Sequence, residues 1–212
     1  MSKCPMLWGV VLLLSSCVGS QKTTRPMKPS SAQFSTAQSE LILEAGPDTP
    51  MRIFKITDTS DSLLLRTPSE RLEVDSTDRV LEQLVERLYA TVRDSLSMGV
   101  GIAAPQVGIL KNLIWVQRLD KENLPFEAYL NPVITRYSSQ KQDCREGCLS
   151  IPGRMDTTRT RSYAIHIEYD RLDQQHVSER VEGFTAVIFQ HEIDHLRGIL
   201  YLDHLEKESK ER

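Results

Sequence analysis

Basic charge never gathers in this chain. Its 26 Lys and Arg are scattered among 29 Asp and Glu, and the net charge is -3. No aromatics are interleaved with the basic residues as a stacking platform, so no nucleic-acid partner is expected. Cysteine is scarce as well: the four are Cys4, Cys17, Cys144 and Cys148. Two of them fall within the first seventeen positions, which argues against a disulfide framework. No apolar run is long enough to span a bilayer comfortably; the run Met6 to Leu14 has only nine residues. No G-K-[ST] follows the one small-residue loop, which makes a phosphate loop a poor fit. What remains is a chain 40% hydrophobic and 26% charged, the balance of a soluble protein with a core. Its 212 residues allow one globular domain and something extra.

The most informative stretch is Gln190-His191-Glu192-Ile193-Asp194-His195-Leu196. It contains H-E-x-x-H. On a helix, residues four apart share a face, so two imidazoles there can close on one metal ion. Glu192 is placed to act on a water without being a ligand. The surroundings are helical: Phe184 to Phe189 is apolar without Gly or Pro, and Gly198 offers a stop. The motif does not name a reaction, because the third ligand decides it. Cys148 is one candidate. It is equally readable as a small buried hydrophobe, or as half of a Cys144–Cys148 pair. His204 or Glu206 would serve instead if the helix belonged to a zinc peptidase.

Residues 1–17 read as a lipoprotein-type signal. Lys3 precedes the apolar run, and Leu14-Ser15-Ser16-Cys17 follows it, with Cys17 as the residue to be lipidated. The rival reading is a start at Met27 or Met51. Residues 18–50 are rich in Ser, Thr, Gln and Pro, and are expected to form a flexible linker with one helical turn near Glu40 to Glu44. The folded domain is expected over 51–205, with 206–212 as a fraying charged tail.

Within the domain, Met51 to Ile56 reads as a short strand. Val80, Leu81, Leu84, Val85, Leu88 and Val92 recur at helical spacing, capped by Ser76 or Thr77 and running to about Ser97. Strands are predicted over Asn112 to Gln117, Ala128 to Ile134, Ala164 to Tyr169 and near Val177 to Val181. Between the first helix and the first of these lies Gly99-Val100-Gly101-Ile102-Ala103-Ala104-Pro105-Gln106-Val107-Gly108. Its glycines let a backbone approach a ligand closely. Gln106 is its one side chain with polar reach.

Three motifs therefore stand in order: Gly99-x-Gly101-x-Ala103-Ala104-x-Gln106, Glu146-Gly147-Cys148-Leu149-Ser150, and Gln190-His191-Glu192-x-x-His195-Leu196. Together they resemble the peptide deformylase family over roughly residues 51 to 205. The resemblance implies an α+β fold in which a central C-terminal H-E-x-x-H helix is wrapped by small antiparallel sheets. It implies removal of the formyl group from N-formyl-methionyl peptides. It implies one divalent metal ion on Cys148, His191 and His195, usually Fe2+, with Zn2+, Ni2+ or Co2+ able to replace it. Glu192 would be the general base, and the Gln106 side chain and the Leu149 N–H the oxyanion donors. Gly101, Ile102, Gly147, Val187 and Ile188 would bind substrate. Glu146 would pair with Arg159 or Arg161. A monomer is expected. With a working signal, the enzyme would be lipid-anchored through Cys17 and face away from the cytoplasm; otherwise it would be cytoplasmic. A lipid-anchored binder of formyl peptides without turnover is the reading from another class, and the complete set of ligands and base speaks against it.

Overall fold

The computed structural model describes residues 33–95 and 99–210, together with Met1. Its main compact unit runs from Ser31 to Arg212. The signal read at residues 1–17, Met1 aside, and the linker as far as residue 32 lie outside the described residues.

The linker reading fails from Phe34 onward. Helix α1, Thr36–Leu43, opens with a reciprocal cap: Ser35 Oγ accepts the Gln38 N–H, and the Gln38 side chain accepts the Ser35 N–H. The segment has few apolar residues, but those few find partners. Phe34 and Ile42 are buried against Leu81, Leu84 and Leu88 of α3, Arg79–Arg93. The carbonyls at the C-terminal end of α1 are claimed by the same helix. Arg87, 1% exposed, donates to Leu41 O at 2.7 Å, Ile42 O at 3.0 Å and Thr49 O at 3.1 Å. A cation there also complements the helix dipole. Ile42→Ala is therefore expected to cost about 2–4 kcal/mol in denaturant unfolding. Leu43→Ala, at a half-exposed position, should cost a small fraction of that. Equal, negligible losses would restore the flexible linker.

Helix α3 begins one residue later than predicted. Asp78 is its cap, accepting from Val80 N at 2.9 Å and Leu81 N at 3.2 Å, and the helix ends at Arg93 rather than Ser97. Its apolar face is the predicted one. A short helix α2, Thr59–Leu65, precedes it.

Strands β1 (Gly101–Ala103), β2 (Leu113–Gln117), β3 (Phe126–Tyr137), β6 (Ala164–Asp170) and β7 (His176–Glu182) form one antiparallel sheet in the order β1-β2-β3-β6-β7. Strands β4 (Cys144–Cys148) and β5 (Ile151–Thr158) form a separate hairpin. Helix α4, Gly183–Leu196, lies between them, and eleven of its fourteen residues are buried. A helix covered all round is a core helix. Its apolar side meets the sheet: Phe189 and Ile193 join Ile114, Tyr129, Ile165 and Ile167 in one cluster. The α+β class and the wrapped central helix are as expected from sequence.

Two further readings need correction. Met51 to Ile56 joins no ladder. It is an extended tie between two loops: Phe54 N–H donates to Gln106 O at 2.7 Å, and Ile56 N–H to Ser150 O at 3.0 Å. The charged tail is also ordered to residue 210. Helix α5, Tyr201–Lys210, holds Glu208 where its Oε1 accepts the Arg159 N–H at 2.6 Å and the Thr160 N–H at 3.1 Å.

Candidate active site

Three elements deliver the three motifs to one place. Helix α4 carries His191 and His195. The β4–β5 hairpin turns through Leu149-Ser150 directly after Cys148. The 3-10 turn Ala104–Val107 carries Gln106. One ligand atom from each of Cys148, His191 and His195 lies within 4.8 Å of the others, and Cys148 Sγ is 3.2 Å from His195 Nε2. The thiol is on the site, and Cys144, free and buried, is not among the three. Burial opposes charge on Cys148, but the two imidazoles outweigh it and hold the thiol well below its usual range. Burial opposes charge on His191 as well, but Cys148 and Glu146 outweigh it and raise the imidazole well above its usual range. A divalent cation would take the place of those protons, leaving a thiolate and two neutral imidazoles as its ligands. One thiolate and two imidazoles suit a divalent transition ion, and three protein ligands are the count of a catalytic rather than a structural centre.

Around the three ligands runs a buried polar network. Glu146 Oε2 meets His191 Nδ1 at 2.8 Å and so fixes the ring. Arg161 grips Glu146 with two bonds of 2.8 and 2.9 Å, and donates to Asp194 at 2.5 Å. Thr158 Oγ1 donates to Glu146 too. Burial pushes the Glu146 carboxyl upward, but His191 and Arg161 more than reverse that and leave it far below the usual carboxylate range. Arg161 is therefore the partner. Arg159 is exposed and faces Asp143. The sequence reading left Asp194 without a role and offered His204 only as a peptidase ligand; the two meet at 2.8 Å. Asp194 stood inside the H-E-x-x-H stretch as an unread position. The His204 imidazole lies on Asp194 and is no third metal ligand.

Arg161→Met should leave Glu146 and Asp194 buried without their guanidinium partner, a loss of about 3–5 kcal/mol. Metal affinity should fall roughly 10–100-fold because His191 is no longer oriented. Arg159→Met should change neither. Metal titration of both variants checks this, and equal effects would place Glu146 outside the ligand's support.

Glu192 is 5% exposed, and its Oε2 has no partner among the described residues. Burial raises its carboxyl to about 7. Strand β1 passes directly over it. A methyl group at position 101 would sit 2.5 Å from Glu192 Oε1 and 2.8 Å from Ile188 Cγ2, so only glycine fits there. Gln106 is aimed as well as placed. Its Oε1 accepts the Ala103 N–H at 2.9 Å, which turns Nε2 toward Ser150 Oγ at 3.2 Å and Cys148 Sγ at 3.6 Å.

All this lies in a cleft of about 990 Å3. Gly101, Gly147, Leu149, Val187 and Ile188 line it, as the sequence reading placed them. Ile102 does not: its side chain is fully buried in the core. Strand β1 is the free edge of the sheet. The Gln117 N–H donates to Val100 O at 2.7 Å across the β1–β2 ladder. The antiparallel alternation then turns Ile102 toward Trp115, its register partner, and leaves the backbone groups of Gly101 facing the open edge.

The polypeptide deformylase family model matches residues 52–211. The chain belongs to the peptide deformylase family. A peptide deformylase of Desulforudis audaxviator is 39% identical over 153 residues, covering 72% of this chain and 94% of that one. Peptide deformylase 2 of Bacillus subtilis is 34% identical, covering 68% and 85%. Among solved structures, the Thermotoga maritima peptide deformylase superposes with a TM-score of 0.64 at 32% identity, covering 73% of this chain and 97% of that one. A class I type b peptide deformylase from Acinetobacter baumannii, solved with Met-Ala-Ser bound, gives 0.64 at 30% identity, covering 74% and 99%. Peptide deformylases remove the N-terminal formyl group from new peptides, and that is this chain's reaction. The family implies a divalent metal, and Cys148, His191 and His195 are the group that fits it.

Proposed function

We propose that the chain hydrolyses N-formyl-methionyl peptides with Glu192 as general base, on one ferrous ion held by Cys148, His191 and His195. The observation that carries this is the Glu192 carboxylate, buried beside the three ligands, with Gly101 close over Oε1 and no partner for Oε2 among the described residues. When bound, the ion activates a water and polarises the formyl carbonyl. Glu192 takes the proton of the attacking water and passes it to the departing amine, so that formamide and water become formate and free amine. Gln106 Nε2 and the Leu149 N–H donate to the oxyanion; losing one such donor costs about 2.7–4 kcal/mol of transition-state stabilisation. The methionine side chain lies against Val187 and Ile188. The peptide backbone adds to the sheet edge at Gly101.

The order of apolar run, small residues and Cys17 supports a lipid anchor on the far side of the cytoplasmic membrane. Cell fractionation of the wild type and Cys17→Ser tests that: soluble cytoplasmic protein in both would remove the anchor. The chemistry is tested with N-formyl-Met-Ala-Ser. Formate and free Met-Ala-Ser should appear in equal amounts. Cleavage of the Met-Ala bond instead would point to a peptidase.

A further inference from the structure

The rim of the cleft is charged in one sense. Arg52, Lys55, Arg145 and Arg154 line it, against Asp94 as the one acidic residue besides Glu146 and Glu192 among the described residues. The whole chain is acidic, with a net charge of -3, so this is a local feature. Arg52 and Arg154 are partly neutralised outside the cleft, by Asp61 at 2.7 Å and Asp156 at 2.7 Å. Lys55 and Arg145 are exposed, and their side chains have no hydrogen-bond or ion-pair partner among the described residues.

Their positions follow the path of the substrate. On β4, Glu146 turns inward to His191, while Arg145 and Gly147 turn to the exposed face. A peptide crossing the bare backbone of Gly147 therefore runs on toward Arg145. Arg145 is three residues before Cys148, roughly 10 Å along an extended strand. That is the reach of the second and third residues after the formylmethionine. Lys55 comes from the tie that links Gln106 to Ser150, so its backbone is anchored to the site from both sides.

We infer that this chain selects N-formyl-methionyl peptides with acidic side chains at the second and third residues after the methionine, and that Arg145 and Lys55 determine that specificity. The inference rests on the deformylase reading of the same cleft. Acidic side chains there meet two free cations, and basic ones meet like charge. The effect belongs to encounter and binding, so it lies in KM and weakens with salt.

The test compares the metal-loaded full chain on formyl-Met-Ala-Asp-Asp, formyl-Met-Ala-Ser-Ser and formyl-Met-Ala-Lys-Lys. At low ionic strength, kcat/KM should favour the Asp-Asp over the Lys-Lys peptide about tenfold, and near 1 M salt the gap should shrink to about twofold or less. The double variant Lys55→Glu, Arg145→Glu should invert the order. Arg145→Gln, which keeps most of the side chain's bulk, should by itself cut the preference about threefold. A wild-type ratio within twofold at low salt, or an unchanged ratio in the double variant, overturns the inference and leaves the deformylase reading standing. Absence of turnover on the uncharged Ser-Ser peptide overturns both.

Discussion

Glu192→Gln should keep the metal and lose nearly all turnover. The amide keeps the size of the carboxylate and fits under Gly101 as it did. It cannot accept a proton from water. General-base catalysis is worth roughly 10²–10⁴-fold, so kcat should fall by that factor while metal content stays at one ion per chain. The wild type carries a matching pH signature. Burial holds the Glu192 carboxyl near 7, and a cation in the site draws it lower. The base works deprotonated, so activity is present at higher pH and is lost as pH falls on an acid limb at or below 7. The residual rate of Glu192→Gln should lack that limb. Substantial turnover in this variant, with metal bound, would remove Glu192 from the role of base.

Cys148→Ala should lose the metal, and Cys144→Ala should not. The two thiols are four positions apart on one strand, but only Cys148 lies with His191 and His195. Burial raises the Cys144 thiol to about 11, so it stays protonated and poorly suited to bind a cation. Two imidazoles without the thiolate make a weak site. Bound metal in Cys148→Ala should fall below about a tenth of the wild type, and activity with it. Cys144→Ala should retain both, with a modest loss of stability. Equal metal loss in the two variants would contradict the three-ligand centre.

What could be read from sequence was what repeats with a period or concentrates chemistry. The α3 stripe, the apolar α4 and the strands around Leu113 to Val116 and Ile165 to Tyr169 all announce themselves by pattern. The site residues sat in three short motifs, because close backbone approach needs Gly101 and Gly147, and ligation needs Cys and His. What stayed hidden was held by partners far along the chain. Strand β5 carries Pro152, Gly153 and several exposed polar residues, and is a strand only because β4 pairs with it. Helix α1 looked like linker because its stability comes from Arg87 and the α3 face rather than from its own composition. The choice between Arg159 and Arg161 was invisible for the same reason: both lie in the irregular stretch between β5 and β6, where no period tells which side chain turns inward. The ordered α5 depends on bonds from Glu208 to the backbone at Arg159 and Thr160.

Hydrolysis at this centre depends on the metal. Its most direct measurement is formate release from formyl-Met-Ala-Ser while ferrous iron is titrated, without air, into metal-stripped full-length chain. Activity should be absent at the start, rise linearly with added iron and stop rising at one ion per chain. Formate release that is indifferent to added metal, or none at full occupancy, would contradict it.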